Sequence, residues 1–503
     1  MSRTPLFAAL RHALRIASPR HDGGAPLDER LDPGFGRRRL LRGAGAAGVL
    51  AALPAAPRRL RAQTDARIVV VGAGLAGLTA AHRLVEGGAT RLRVYDAGRR
   101  VGGRMLSAPG LLAEGHVAEL GGSFINTEHE DVLALAREFE LPLEDGAADD
   151  PPLLGSYFFG GQNRTLAELA REARPLLERL EALRAAGEEE YLRAEAMSVA
   201  AMLDGWGVSG WLRSLLDIGL TQEMGLEPDR MSGLYLVDSF AVDPEQPGQG
   251  IFSSDQRFQI EGGNDRLVRA LGERLGSRVE LGHRLESVRA VGSGYRLSFA
   301  TEAGPREVEA DVVVMTIPLT VLREVEMAVG LAPRTRRAIA EITYGTNAKL
   351  FAGVKSRPWR EKGFSGECLN DLGVQTCWED HARPGEGPGG LTIFAGGRLG
   401  VDFARGDSAE RAADALRRLD PAFPGLAALG NDRHGRFDWP GSPLFRGSYT
   451  CFAPGQFSAF ENAFEPVGGL FFAGEHMSGD YSGYMNGAAE TGRIAAEAVA
   501  GRL

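Results

Sequence analysis

Three glycines and one carboxylate carry the first chemistry legible in the chain. In "RIVVVGAGLAGLTAAHRLVEGGATRLRVYD", Gly72, Gly74 and Gly77 spell G-x-G-x-x-G between a β-branched run and a helical pattern. Gly72 suits a tight turn, Gly74 lets backbone approach a pyrophosphate, and Gly77 lets helix and strand pack closely. The helix start adds unbonded N–H groups and the positive end of its dipole, which attract phosphate. Asp96 closes a second strand where a carboxylate accepts hydrogen bonds from a ribose, and its charge disfavours a cofactor with a 2′-phosphate. In "GRRVGGR", Gly102 and Gly103 suit a loop wrapped around the far side of the pyrophosphate, with Arg99 and Arg104 as charge contacts. These residues imply a dinucleotide and leave open which one.

Two other segments carry chemistry. Lys349, in "YGTNAKLFAGV", opens a strand with an apolar interior side, where a buried ammonium is costly. The stretch "FFAGEHMSGDYSGYMNGAAETGR" reads as a strand, a glycine-rich bend with two tyrosines and a helix, offering a second helix start to a negatively charged ligand. Nine scattered histidines without HExxH imply no metal site, and three cysteines without CxxC imply neither structural zinc nor a disulfide framework.

The elements that must position these groups follow from periodicity. Ile68 to Val71 is an unbroken β-branched run, as in a strand buried on both faces. Residues 257–276 give a strand, a glycine doublet and a helix with Leu267, Leu271 and Leu275 on one face. Residues 278–300 alternate as strands, and "VEADVVVMTIP" (308–318) reads as one buried strand ending in proline. The Leu, Ala, Glu and Arg of 162–197 predict helical hairpins, while 336–430 mixes strands with a helix at 408–419. Nucleotide-binding segments near both ends imply a second unit inserted between them.

At 503 residues the chain has room for two or three compact units. Its 44% hydrophobic and 24% charged residues, with a mean hydropathy of −0.15, are those of a globular protein. The 68 glycines show no three-residue period, which excludes collagen. A net charge of −9 argues against a general nucleic-acid binder. Residues 1–65 differ from the rest: Arg37, Arg38 and Arg39 precede an apolar run from Gly43 to Ala56 that is too short for a stable membrane span. The order from Arg37 to Arg42 resembles a twin-arginine signal, a route for folded, often cofactor-loaded proteins. The expected partner is the twin-arginine translocation machinery, and the expected location periplasmic or secreted, or cytoplasmic if the leader does not function.

Taken in order, G-x-G-x-x-G, Asp96, "GRRVGGR", "ELGGSFI", "GGNDRL" and "FFAGEH…SGYMNGAAETGR" resemble the flavin-containing amine oxidases over about residues 66–503. That group includes monoamine, polyamine and L-amino-acid oxidases. The resemblance implies an α/β fold: a Rossmann-like, glutathione-reductase-like FAD-binding domain from 66–125, 255–335 and 430–503. A mixed α+β substrate domain, 126–254 and 336–429, would be inserted into it. FAD is the implied cofactor, contacted also by Gly121, Gly122, Gly474 and Gly483. The resemblance puts Glu475 near the ribityl–phosphate part, the backbone of Tyr484 and Met485 beside the isoalloxazine, and that of Val279 at the adenine. Ser448 stands where some relatives carry a cysteine joined to flavin, so FAD is expected to be non-covalent.

The same resemblance makes Lys349 the residue that meets flavin N5 through a water, and makes Tyr449 and Tyr484 the rings flanking the substrate nitrogen. Trp378 and Trp439 are candidate pocket walls, His476 a candidate neighbour of the flavin edge, and Glu195, Asp238 and Glu461 candidate anchors for a distant ammonium. The implied reaction is oxidation of a primary or secondary amine, monoamine or polyamine, by hydride transfer to N5. The imine would hydrolyse to aldehyde plus ammonia or a smaller amine, with oxygen reduced to hydrogen peroxide. Ser123 and Phe124 occupy the region where one branch carries an arginine for a substrate carboxylate, which favours an amine lacking one. Alternatives are an L-amino-acid oxidase, an amine dehydrogenase serving a quinone or protein acceptor, and a flavin-binding protein without turnover. Expected partners are thus an amine, oxygen or another acceptor, and a second copy of the chain in a homodimer.

Overall fold

The computed structural model describes residues 64–146, 154–239, 255–379 and 387–503. The expected leader, apart from Thr64 and Asp65, lies outside them. The nucleotide-binding part is a five-stranded parallel sheet of β1 (Ile68–Val71), β2 (Leu92–Tyr95), β3 (Val279–Glu280), β4 (Val312–Met315) and β5 (Leu470–Phe472), in the order β3-β2-β1-β4-β5. That is the doubly wound order, in which a ligand binds beyond the carboxyl ends of the strands where the order reverses. Helix α1 (Leu75–Glu86) leaves β1 through the glycine turn, and helix α2 (Met485–Arg502) packs beside it.

The continuous apolar run of β1 serves two cores at once. Ile68 and Val70 pack under α1, α2 and the helix Asp265–Leu275. Val69 and Val71 face a core with Leu297 and Phe299 of a four-stranded sheet, in which Arg284–Val291, Gly294–Thr301 and Gly304–Ala310 form an antiparallel meander. The stretch 308–318, expected as one strand, is divided between the two sheets. Gly304–Ala310 ends the meander, Asp311 turns the chain, and β4 continues in the parallel sheet. Asp311 holds the corner by accepting from the Arg67 backbone N–H at 2.8 Å and from its guanidinium at 2.7 and 3.2 Å.

The inserted part is a seven-stranded sheet, in the order Gly430–Phe437, Ala348–Val354, Gly389–Ala395, Gln375–Glu379, Phe364–Asn370, Leu154–Phe159 and Gln162–Asn163. The edge strand Gly430–Phe437, expected with the nucleotide-binding part, pairs here with Ala348–Val354. Its alternating Arg, His and Gly residues carry no local sign of which sheet they join. One face packs Leu350, Ala352, Val354, Leu391 and Ile393 against the helix Ser408–Leu419. The helices Leu166–Ala185, Glu188–Ala196, Val199–Gly205 and Gly210–Met224 share a separate core, and a Thr165–Glu168 capping box starts the first. Conversely, helix Glu130–Glu138, expected in the inserted part, buries Val132, Leu133 and Leu135 in the nucleotide-binding core.

At the start of α1, a Cβ on Gly77 would stand 2.0 Å from the Gly72 carbonyl oxygen. Gly77→Ala should therefore displace α1 from β1 and cost about 1–3 kcal/mol, the range for overpacking, read as a lower midpoint in denaturant unfolding.

Candidate active site

Beyond the carboxyl ends of β1, β4 and β5 lies a cavity with about 1070 Å³ of non-protein space, part of it open to solvent. Segments from the whole length of the chain line it. Leu75, Gly102, Arg104, Gly121, Gly122, Glu475, Gly483, Tyr484 and Met485 come from the nucleotide-binding side, and Lys349, Trp378, Phe394, Trp439 and Tyr449 from the other.

The nucleotide-facing part follows from the glycine turn. A Cβ on Gly74 would meet only the Gly103 Cα, at 3.9 Å, so the protein itself leaves room for a side chain there. A ligand approaching the N-terminus of α1 is what needs that space. The carboxylate of Asp96 accepts from the backbone N–H groups of Ala73 at 2.7 Å and Gly98 at 2.6 Å, tying the turn to the end of β2. Burial pushes its pKa above the ordinary value against those two bonds. Val279 is half-buried in β3, paired with Val94 at the sheet edge.

Of the two arginines expected at the pyrophosphate, only Arg104 lines the cavity. The Arg99 side chain is 90% exposed and pairs with Glu302, away from the cavity. Arg100 instead folds back on the loop, donating to the carbonyls of Val101, Gly103 and Met105. Arg104 does line the cavity, where it donates to the Ser448 carbonyl at 2.7 Å and to Glu475 at 2.9 Å.

Glu475 is the hub of the site. Buried to 4% exposure, it accepts also from the Thr450 hydroxyl at 2.9 Å and from the Gly483 backbone N–H at 2.8 Å. Burial raises its pKa, yet Arg104, His476 and these bonds outweigh that and hold it below the ordinary carboxylate value. Gly474 precedes it at φ 144°, and Tyr484 is the N-cap residue of α2, so both segments meet the cavity with backbone. His476 is buried beside Phe464 rather than on the cavity wall.

The opposite wall is built by strand register. Lys349 pairs with Phe394 on one side and Phe437 on the other, and Phe394 in turn with Thr376. Residues directly opposite share a face, so one row crosses four strands, with Trp378 two residues on along the same face. Lys349 is 5% exposed, and its Nζ donates to the Glu119 carbonyl at 2.7 Å, the Gly121 carbonyl at 2.6 Å and the Ser123 hydroxyl. It also lies 5.7 Å from the centre of the Trp378 ring.

Tyr449 donates to the Glu223 carbonyl at 2.6 Å, which fixes its ring. Tyr484 meets the His129 ring edge-on at 5.2 Å. Both tyrosines line the cavity, as do Trp378 and Trp439. Ser448 spends its hydroxyl on Asn347 Oδ1 at 2.6 Å. Phe394, Asn347 and Gln256 belong to the wall without having been anticipated. Phe394 is implied by the register opposite Lys349, whereas Gln256, at φ 49°, carries no sequence signal.

The candidate ammonium anchors do not reach the cavity. Glu195 binds the Ser458 N–H and hydroxyl, Asp238 accepts from Tyr191, and Glu461 is exposed. Elsewhere, His82, Glu86 and Glu138 bring ligand atoms within 4.8 Å of one another. Arg83 pairs with both of those carboxylates, so the positive charge a cation would supply is already present.

With this geometry in hand, the comparisons with known proteins are decisive for the family. The model of the flavin-containing amine oxidoreductases matches residues 75–500, and the chain belongs to that family. AofH of Mycobacterium tuberculosis, provisionally named a flavin-containing monoamine oxidase, is 29% identical over 459 residues, covering 87% of this chain and 97% of AofH. An L-amino acid dehydrogenase of Synechocystis is 24% identical over 464 residues, covering 86% of this chain and 95% of that one. Among solved structures, the cyclohexylamine oxidase of Brevibacterium oxydans superposes with a TM-score of 0.76 at 24% identity, covering 87% and 99% of the two chains. The protein is an FAD-dependent oxidoreductase acting on amines or amino acids. Among the described residues no helix is long and apolar enough to cross a membrane.

Two outcomes follow from this geometry. Gly74→Ala should leave the unfolding midpoint of apoprotein within about 0.5 kcal/mol of the parent while abolishing FAD retention, in contrast to Gly77→Ala. Burial also lowers His129 and His476 from 6.5 to about 4, so each stays neutral in the fold. Between those values the unfolded chain binds more protons, and stability should fall as pH drops from 6.5 to about 4. Glu475, depressed in the fold, adds stability above the unfolded carboxylate pKa and loses it as pH falls through its folded value. Urea unfolding across that range should show the histidine loss first and flatten partly in His129→Phe.

Proposed function

We propose that the protein oxidises primary or secondary amines with an apolar body, giving an imine that water hydrolyses to an aldehyde and ammonia or a smaller amine. Bound FAD would supply the acceptor for the hydride from the carbon bearing nitrogen and would pass the electrons to oxygen, yielding hydrogen peroxide. The chain's own part is to position a neutral amine and keep water from it. In this reading Tyr449 and Tyr484 flank the nitrogen, with their rings fixed by Glu223 and His129. Phe124, Trp378 and Phe394 form the wall that receives the apolar body. Lys349, on the adjoining wall, holds protons close to the reacting centre.

One observation carries this choice of substrate. Among the described residues lining the cavity, the only charged side chains are Arg104 and Glu475, which engage each other, and Lys349, held by the Glu119–Ser123 turn. A substrate carboxylate finds no arginine available there, and a second ammonium finds no carboxylate. FAD is read as non-covalent because Ser448 cannot form a thioether. Relatives named as dehydrogenases, of L-amino acids, pseudooxynicotine and nicotine, support a second reading in which the electrons pass to another acceptor. The order from Arg37 to Arg42 supports export of the folded, loaded protein, which cell fractionation would test.

Anaerobic mixing of the yellow protein with monoamines, diamines, polyamines and L-amino acids should bleach it fastest with apolar monoamines. Bleaching by amino acids alone would refute the substrate class, and slow recovery in air would favour the dehydrogenase reading. Tyr449→Leu and Tyr484→Leu should each lower kcat/KM about tenfold, near 1.4 kcal/mol, with FAD retained. Lys349→Met should slow bleaching or recovery at least about tenfold.

A further inference from the structure

We infer that Ser123 is a positioning residue for Lys349 that allows the lysine to hold one place in both protonation states. This rests on the proposed role of Lys349 in amine oxidation. Three oxygens surround Lys349 Nζ: the carbonyls of Glu119 and Gly121, at 2.7 and 2.6 Å, and the Ser123 hydroxyl. They match the three N–H bonds of an ammonium. All three belong to one five-residue turn, "ELGGS", and Gly121 and Ser123 line the cavity alongside Lys349.

The three oxygens are not equivalent. A carbonyl can only accept, so Glu119 and Gly121 hold the lysine through N–H bonds and can do nothing for a nitrogen lone pair. A hydroxyl accepts and donates. When Lys349 gives a proton to water, Nζ keeps two N–H bonds and gains one lone pair. The two carbonyls retain the N–H bonds, and the Ser123 hydroxyl rotates to donate to the lone pair. With the proton regained from hydronium, the hydroxyl turns back; it has a second acceptor in the Gly121 carbonyl, 3.4 Å away. Without the hydroxyl the ammonium loses an acceptor and the neutral amine loses a donor, and neither carbonyl can take over the second role. A buried group left unsatisfied in either state is costly.

The charged form loses more, because its bond to the hydroxyl is charge-assisted. Ser123→Ala should therefore move the Lys349-dependent limb of the reaction's pH profile toward acid by about one unit. The experiment compares wild type, Ser123→Ala, Ser123→Thr and Lys349→Met, each loaded with FAD. It records anaerobic reduction by one amine, reoxidation in air, and the visible flavin spectrum of the resting protein across pH. Support is an acid-shifted limb and a spectral titration altered in Ser123→Ala, both restored by Ser123→Thr and both absent in Lys349→Met. A uniform loss of rate in Ser123→Ala with limb and titration unmoved would overturn the inference and leave a packing role. So would an unchanged Ser123→Ala beside an impaired Lys349→Met. If Lys349→Met itself leaves both half-reactions and the titration unchanged, the underlying role of the lysine falls, and this inference with it.

Discussion

The buried pairing of Glu475 with Arg104 is the interaction on which the site depends. Its partners come from the loop after β2, from Thr450 before β5, and from Gly483 just ahead of α2. The two charged residues stand 371 positions apart in the chain. Carrying a carboxylate to 4% exposure costs several kcal/mol unless each lone pair is used. Here a guanidinium, a hydroxyl and a backbone N–H use them. The arrangement is worth more as a geometric lock than as net stabilisation. It brings the first glycine turn and the last helix start to opposite sides of one cavity.

The two walls differ in how they are built. The nucleotide-facing wall is mostly backbone: glycines, helix starts and loop N–H groups that any dinucleotide pyrophosphate can use. The substrate-facing wall is side chains on a sheet, spaced by cross-strand register. Lys349 shares its row with two phenylalanines and lies on the face opposite Leu350 and Ala352, which are in the core. Its ammonium is met by the carbonyls of Glu119 and Gly121 and by the Ser123 hydroxyl.

The glycine turn proposed to cradle the cofactor is legible in the sequence because its geometric requirements are local. Gly72, Gly74 and Gly77 each answer to a neighbour within a few residues or to the ligand itself, and strand, turn and helix must follow in that order. Lys349, Tyr449 and Tyr484 meet at one cavity as the resemblance implied, and Trp378 and Trp439 join them. What escaped depends on long-range pairing. Arg99 and Arg100 are adjacent in a loop, and nothing local says that Arg99 pairs with Glu302 while Arg100 folds back on the loop carbonyls. The break at Asp311 rests on Arg67, 244 positions earlier. The sheet taken by Gly430–Phe437 and the place of Gln256 are likewise settled by tertiary contacts.

The lock between residues 104 and 475 also has a consequence in time. A ribosome finishes the glycine turn, α1 and β2 long before it reaches the strand and helix that complete the cradle. Until translation has passed residue 502, the first half of the site offers phosphate-binding backbone with no opposing surface. On the reading proposed above, cofactor capture waits until Glu475 and the start of α2 have been made. Premature termination between β2 and Glu475 would leave a chain with the glycine turn, α1 and β2 but without the carboxylate that engages Arg104.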